Sequence, residues 1–339
     1  MSDAPDDPLS AHFERLLGDA VTPAVVRQVE AGGATAALWA RFEDSGFLDA
    51  MVPEGLGGAG QTLAAATPLL LALGRQAVPL PLAQTLFLRG VLAQQGRAAP
   101  HGALALADRV RLADDGAIFC PGVPFGMVSD HVAVALPSGA CLLPVAAAER
   151  TATGVHGSLR ADLRWPARPR DALACDATPP WAEAGAALSA ALLAGGMERV
   201  LQMTLDFANQ REQFGRSIGR FQAVQHQLAV MAEQVAAARM AAELGCAGTG
   251  LWPHPLRAAL AKARTSEAAA QVAAIAHAVH GAIGVTAEFD LQQHTRRLHE
   301  SRADFGAEGH WQRVLGRALL ASPDATLPFM LSALIPENA

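Results

Sequence analysis

From Pro8 to about Gln95 the apolar positions recur at the three- and four-residue spacing of helices packed on one face: Phe13, Leu16 and Leu17, then Leu38 and Phe42, then Leu69, Leu70 and Leu73. Gly and Pro punctuate the runs, so this part of the chain is expected to be helical. One stretch interrupts it, GFLDAMVPEGLGGAG (46–60), where Pro53 and the glycines cannot continue a helix. An extended loop is predicted there, with helix resuming near Thr62. Between 101 and 175 the pattern changes to short apolar runs, ALALADRVRL, GAIFC, HVAVAL and ACLLPV, separated by Gly, Pro, Asp and Ser. That is the pattern of strands and tight turns, and it predicts a small β domain. From Trp181 onward long Ala-rich periodic segments return, at 181–211, 221–248 and 255–280, and their short joins predict an antiparallel bundle. The expected fold is mainly α, in three domains: helical (1–100), β (101–176) and helical again (177–339).

Composition narrows this picture. A chain of 339 residues is too long for one ordinary core and fits two or three packed units. It is 51% hydrophobic and 17% charged, with twelve Phe, five Trp and no Tyr, a balance that favours packed helices over aromatic-rich strands. The net charge of −6 and the scattered basic residues argue against a nucleic-acid partner. Cys120, Cys141, Cys175 and Cys246 form no CxxC and have no His at ligand spacing, so neither a metal site nor a disulfide framework is expected. The acidic N-terminus, MSDAPDDPLSAHFERLL, lacks the order of a signal peptide. No run is apolar over eighteen residues without polar interruption. A cytoplasmic protein with no membrane partner is expected.

The chemistry concentrates in REQFGRSIGRFQ (211–222). Taken alone it joins two bundle helices, with Gly215 and Gly219 relieving the turn and Phe214 and Phe221 filling the gap. Its company changes the reading, because PEGLGGAG precedes it and HGAIGVTAEFDL (280–291) follows it around a β domain. In this order the chain resembles the acyl-CoA dehydrogenases, flavoenzymes whose pattern includes vPEexGGxG, RxQFGxxIxxFQxxQxxLAxM and a late QxxGGxGxxxExP. The central motif matches at Arg211, Gln213, Phe214, Gly215, Ile218, Phe221, Gln222, Gln225, Leu228, Ala229 and Met231. The resemblance spans nearly the whole length. It implies an N-terminal helical domain, a middle β domain and a C-terminal four-helix bundle, assembled as a dimer or a dimer of dimers with FAD between subunits. By the same resemblance Arg211 and Gln213 hold the FAD pyrophosphate of a neighbouring subunit and Phe214 packs on its adenosine side. Phe221 and Gln222 join them as cofactor-binding candidates. Gly281 and Gly284 match glycines that let backbone approach the cofactor, with Thr286 as a hydroxyl partner. A planar guanidinium suits a diphosphate because its donors pair with phosphate oxygens bidentately.

The implied reaction is α,β-desaturation of an acyl-CoA thioester, the α-proton going to a carboxylate and the β-hydrogen leaving as hydride to flavin N5. Electrons then pass to an electron-transfer flavoprotein or a similar acceptor. Here the chain departs from the family. Counted without gaps from Glu288, the usual Tyr-Glu-Gly falls on Asp304, Phe305 and Gly306, and a second family location for the base falls on Gly185, with a CoA-binding Arg at Ala186. The TExxxGSD stretch survives only as ALALADRVRLADDG. Asp304 is the candidate base; its alternative role is to cap the helix expected near Gly306. Glu308 is a weaker candidate, His280 and His310 lie near in sequence, and Arg296 and Arg297 either meet phosphate or solvate a helix face. Two functions stay open: an FAD-dependent dehydrogenase using Asp304 or a displaced carboxylate, and a partner subunit that completes a neighbour's FAD site. The second is similar to the base-poor subunits of heteromeric bacterial sterol side-chain dehydrogenases. A purely scaffolding or acyl-CoA-binding role ranks last.

Overall fold

The computed structural model of the protein describes residues 8–175 and 180–335. Five helices open the chain: α1 (Pro8–Ala20), α2 (Pro23–Glu30), α3 (Ala36–Asp44), α4 (Leu63–Arg75) and α5 (Leu82–Gln94). At the start of α2, Thr22 accepts a hydrogen bond from the Val25 amide and Pro23 occupies the first turn, where its missing N–H costs nothing. The segment 46–60 is not extended. It holds two 3-10 turns, Phe47–Asp49 and Glu54–Leu56, and folds back so that the Gly60 and Gln61 amides donate to the Val52 and Ala50 carbonyls. Glycine-rich sequence forbids a long helix but permits reversals, which is why the loop closes on itself.

Eight strands follow: β1 (Leu104–Leu106), β2 (Arg111–Leu112), β3 (Ile118–Val123), β4 (His131–Leu136), β5 (Gly139–Pro144), β6 (Glu149–Ala152), β7 (Ala161–Trp165) and β8 (Leu173–Ala174). They form two four-stranded sheets, ordered β1-β4-β5-β8 and β2-β3-β7-β6. Apolar side chains from both sheets, among them Val132, Val134, Leu143, Ile118, Leu163 and Trp165, share one core. Trp165 also donates its indole N–H to the Pro144 carbonyl across that core, 2.9 Å away. The outer edge of β1 is covered by α5, whose Thr85 and Gln84 accept the Leu104 and Leu106 amides. Every residue of α5 from Leu82 to Leu92 is buried, including Arg89, which pairs with Glu43 and Asp49.

The C-terminal part contains α6 (Trp181–Gln210), α7 (Gln222–Cys246), α8 (Pro255–His280), α9 (Leu291–Ala303), α10 (Glu308–Ala321) and α11 (Thr326–Leu334). Two stretches, 181–210 and 255–285, are long and apolar enough to cross a membrane by length and composition, which corrects the expectation of none. The apolar window of the first is 78% buried in the protein, as core helices are. Between α6 and α7 lies a small hairpin, β9 (Glu212–Gln213) with β10 (Arg216–Ser217).

The chain divides into two compact units. One takes residues up to Leu69, Val78–Gly185 and Gly248–Trp252, and so holds both the N-terminal helices and the sheets. The other takes Leu70–Ala77, Ala186–Ala247 and the chain from Pro253. Within the second, Gly195 of α6 would place a Cβ 2.0 Å from the Leu71 carbonyl oxygen, so only glycine permits that helix crossing. Its core runs from Leu193, Met197 and Val200 through Met231 and Val235 to Val272, Leu291 and Leu298.

Candidate functional site

The REQFG segment forms the β9–β10 hairpin, in which Gln213 faces Arg216 and Glu212 faces Ser217. Its two central residues, Phe214 and Gly215, have φ of 53° and 77°. A two-residue hairpin turn with both φ positive matches the right-handed twist of its strands, and glycine takes it freely. Phenylalanine does not, because its Cβ crowds the backbone there. Despite that strain the Phe214 ring is 92% exposed. Phe221 stands 6.1 Å from it at 84°, and the Arg216 guanidinium lies 4.2 Å over the Phe221 ring. The turn is held from below by backbone and amide bonds: Ile218 N–H donates to the Arg211 carbonyl, and Gln225 donates to the Gly219 carbonyl. Arg211, Gln213 and Gln222 are exposed, and among the described residues the Arg211 guanidinium has no carboxylate partner.

The late motif lies against the same end of the bundle. Phe207, four residues before Arg211, stacks on His280 with centroids 4.4 Å apart, and Phe289 tilts against the same imidazole at 5.2 Å. His280 ends α8, so the turn Gly281–Val285 begins beside the root of the hairpin. Gly281 has φ 65° and nothing within 4 Å of where a Cβ would stand. Gly284 is different: a Cβ there would meet His280 at 3.0 Å and Leu291 at 3.2 Å, so this glycine packs the turn onto the bundle. Thr286 donates its hydroxyl to the Ile283 carbonyl and closes the turn. Burial pulls the His280 imidazole below its usual pKa, against a hydrogen bond from Nδ1 to the Ala276 carbonyl, with His277 adding to the depression. His277 is lowered by burial and by His299.

Asp304 and its neighbours lie at the other end of α9, about 20 Å from Leu291 at 1.5 Å per residue over 13 residues. Asp304 terminates α9 and is buried. The N-cap position of α10 is Ala307, which makes no side-chain cap bond. Phe305, where the family pattern has its carboxylate, is 4% exposed with φ 52°, and its carbonyl accepts from the Trp311 indole at 2.8 Å. Lys262 of α8 is fully buried and donates to Ser266 Oγ, the Ser301 carbonyl and the Arg302 carbonyl at 2.7, 3.0 and 2.9 Å. A cation on the last carbonyls of a helix meets both their lone pairs and the negative end of the dipole. Ser189 Oγ donates to the Ser301 carbonyl as well. Glu308 is paired with Arg302, whose hydrogen bond holds its carboxyl below the ordinary range, an unfavourable condition for a base. His310 is exposed against the edge of Trp311. Arg296 bonds Gln292 on its own helix. Gly185 and Ala186 are both buried in α6, and neither side chain carries a titratable group.

An exposed aromatic ring, exposed guanidinium groups and an open glycine turn lie at one end of the bundle, a chemistry that suits a flat ring joined to an anionic group. A family model for the acyl-CoA dehydrogenase C-terminal domain matches residues 183–320. Acyl-CoA dehydrogenase IpdE2 of Mycobacterium tuberculosis is 34% identical over 284 residues, covering 82% of this chain and 86% of the relative. The chain belongs to the acyl-CoA dehydrogenase family. Its fold is shared with the ChsE4-ChsE5 complex from Mycobacterium tuberculosis at a TM-score of 0.75 and 22% identity, over 96% of this chain and 99% of that one. A Tcur3481-Tcur3483 steroid ACAD variant matches at 0.78 and 25% identity, over 92% and 96%. Within this family setting, three features carried no sequence signal strong enough to find. They are the Arg216–Phe221 cation–π contact, the Phe207–His280–Phe289 cluster and the buried Lys262. The last had a faint one, a lone Lys with Ser four residues on inside ALAKARTSEAAA.

Proposed function

We propose that the chain is the FAD-clasping subunit of an acyl-CoA dehydrogenase whose proton-abstracting carboxylate comes from a second dehydrogenase subunit. The observation that carries this reading is the sealed 304–306 loop, where Phe305 stands in place of the family carboxylate and Lys262, Ser189 and Trp311 hold the backbone around it. FAD bound at the hairpin would supply the hydride acceptor for α,β-desaturation of an acyl-CoA thioester. The chain's own part is binding and orientation: Arg211 and Gln213 toward the pyrophosphate, Phe214 toward the adenosine, and the Gly281 turn as the backbone approach, with Phe221, Gln222, Gly284 and Thr286 shaping these elements. Relatives support a divided site, since two similar structures carry paired names and one is called a steroid ACAD. A steroid-derived acyl-CoA is the substrate class, an electron-transfer flavoprotein or similar acceptor takes the electrons, and the complex works in the cytoplasm.

A second reading keeps Asp304 as the base within this chain, favoured by one observation: a buried carboxylate adjoins the position the family uses. Purification separates the two. Flavin absorbance that appears only when a second dehydrogenase subunit is co-expressed, with acyl-CoA turnover unchanged in Asp304→Asn, supports the divided site. A flavin-loaded chain that reduces its own flavin, and loses roughly a hundredfold in Asp304→Asn as loss of a general base should give, would replace it with the second reading. In either case Arg211→Ala should weaken FAD binding by about 1.5–3 kcal/mol, and unchanged affinity would remove the clasp from the hairpin.

A further inference from the structure

We propose that Arg216 is a further dinucleotide-holding residue, which stacks on Phe221 to buttress the Phe214 ring and presents its N–H edge to the diphosphate beside Gln213. The inference rests on the FAD reading above and extends it to a residue outside the positions the family pattern fixes. Three observations meet here. Arg216 pairs directly with Gln213 across the hairpin, so both side chains rise from one face, while Glu212 pairs with Ser217 on the other. The guanidinium lies 4.2 Å over the Phe221 ring, and Phe221 in turn stands edge-to-face with the exposed Phe214. Arg216 is exposed, and among the described residues it has no carboxylate partner.

Stacking engages the flat face of a guanidinium and leaves its five N–H donors pointing outward in the plane. Such a group can therefore hold an aromatic platform and bind phosphate at once. Lysine cannot, because its ammonium is a point charge without a stacking face. The arrangement also explains a strained and solvent-facing Phe214: the ring is supported from the side by Phe221 and left open for a flat ligand group. The ligand chemistry is an adenine nucleotide with a diphosphate, and the test uses FAD and ADP.

The full-length protein, in the oligomer in which it purifies, is titrated with FAD by flavin fluorescence and with ADP as competitor. Arg216→Ala should weaken both by about tenfold, the size of a charged hydrogen bond. Arg216→Lys should recover only part of that. The thermal midpoint should not move, since the side chain is exposed. FAD and ADP affinities within about twofold of wild type in Arg216→Ala, inside the scatter of exposed substitutions, overturn the proposal. If Arg211→Ala weakens binding in the same experiment, the FAD reading survives that failure. Full recovery in Arg216→Lys overturns the stacking role, and a wild type that binds no FAD in any oligomer overturns both readings.

Discussion

Phe214–Gly215 and Phe305–Gly306 both run at positive φ, 53° and 77° in the first pair, 52° and 93° in the second. Their surroundings are opposite: the first ring is 92% exposed and the second 4%. A bulky residue in the left-handed region is strained by roughly 1–2 kcal/mol and persists only when something offsets it. For Phe305 the offset is inside the chain, in the buried ring and in the Trp311 bond to its carbonyl. For Phe214 the one ring contact among the described residues is the edge of Phe221, and the residue is otherwise exposed. The same local strain is sealed inside the fold at Phe305 and left open to solvent at Phe214, where the proposed function puts a ligand.

The largest effect should come from the staple. Lys262→Ala removes the ammonium that satisfies Ser266 and two buried helix-end carbonyls, and should cost about 3–5 kcal/mol of stability in denaturant unfolding. A change below 1 kcal/mol would mean the α9 terminus finds other donors. Next, Phe305→Ala should cost about 3 kcal/mol as a buried aromatic truncation, whereas Phe214→Ala should stay within about 0.5 kcal/mol. Equal losses at both sites would erase the contrast.

Acid should act at the hairpin end of the bundle. His294 is buried and its pKa is pushed down to about 4 by burial first, then by Arg199 and Arg297, against Asp290. His277 and His280 are lowered too. Because the folded values lie below the unfolded value of 6.5, the unfolded chain binds more protons below that pH. The stability held by neutral histidines is therefore complete above the unfolded pKa and lost as pH falls toward the folded one. For His294 the loss is at most about 3 kcal/mol, and His294→Gln should flatten the fall of the thermal midpoint between neutral pH and pH near 4. A smaller effect than either buried truncation is expected for Trp311→Phe, which should cost about 1 kcal/mol through the indole bond to the Phe305 carbonyl.

Much of this architecture was legible from periodicity. The segments predicted at 181–211, 221–248 and 255–280 are observed at Trp181–Gln210, Gln222–Cys246 and Pro255–His280, because Ala-rich helical spacing and Gly or Pro breaks fix those ends. The strands at 118, 131 and 139 follow apolar runs, but β6 does not: Glu149–Ala152 is exposed at all four positions, so no buried face left a pattern to find. The 46–60 loop was misjudged because composition reports where helix stops and not how the chain turns afterwards. The turn at 211–222 was legible from its own glycines and motif, but its pairing as a two-stranded hairpin was not. The stapling was invisible, since Lys262 and Ser189 reach the last turn of α9 and Trp311 reaches Phe305 from three separate helices, and long-range burial of a lysine has no local signature.

In the proposed function the exposed Phe214 serves the cofactor, while the buried Phe305 serves the fold. Phe214→Ala tests it with two readouts on one sample, FAD affinity and thermal midpoint. The expected result is FAD affinity weakened by about tenfold, as loss of a stacking aromatic gives, with the midpoint unmoved. A midpoint that drops by several degrees while FAD affinity holds would contradict it, and would make Phe214 a second staple.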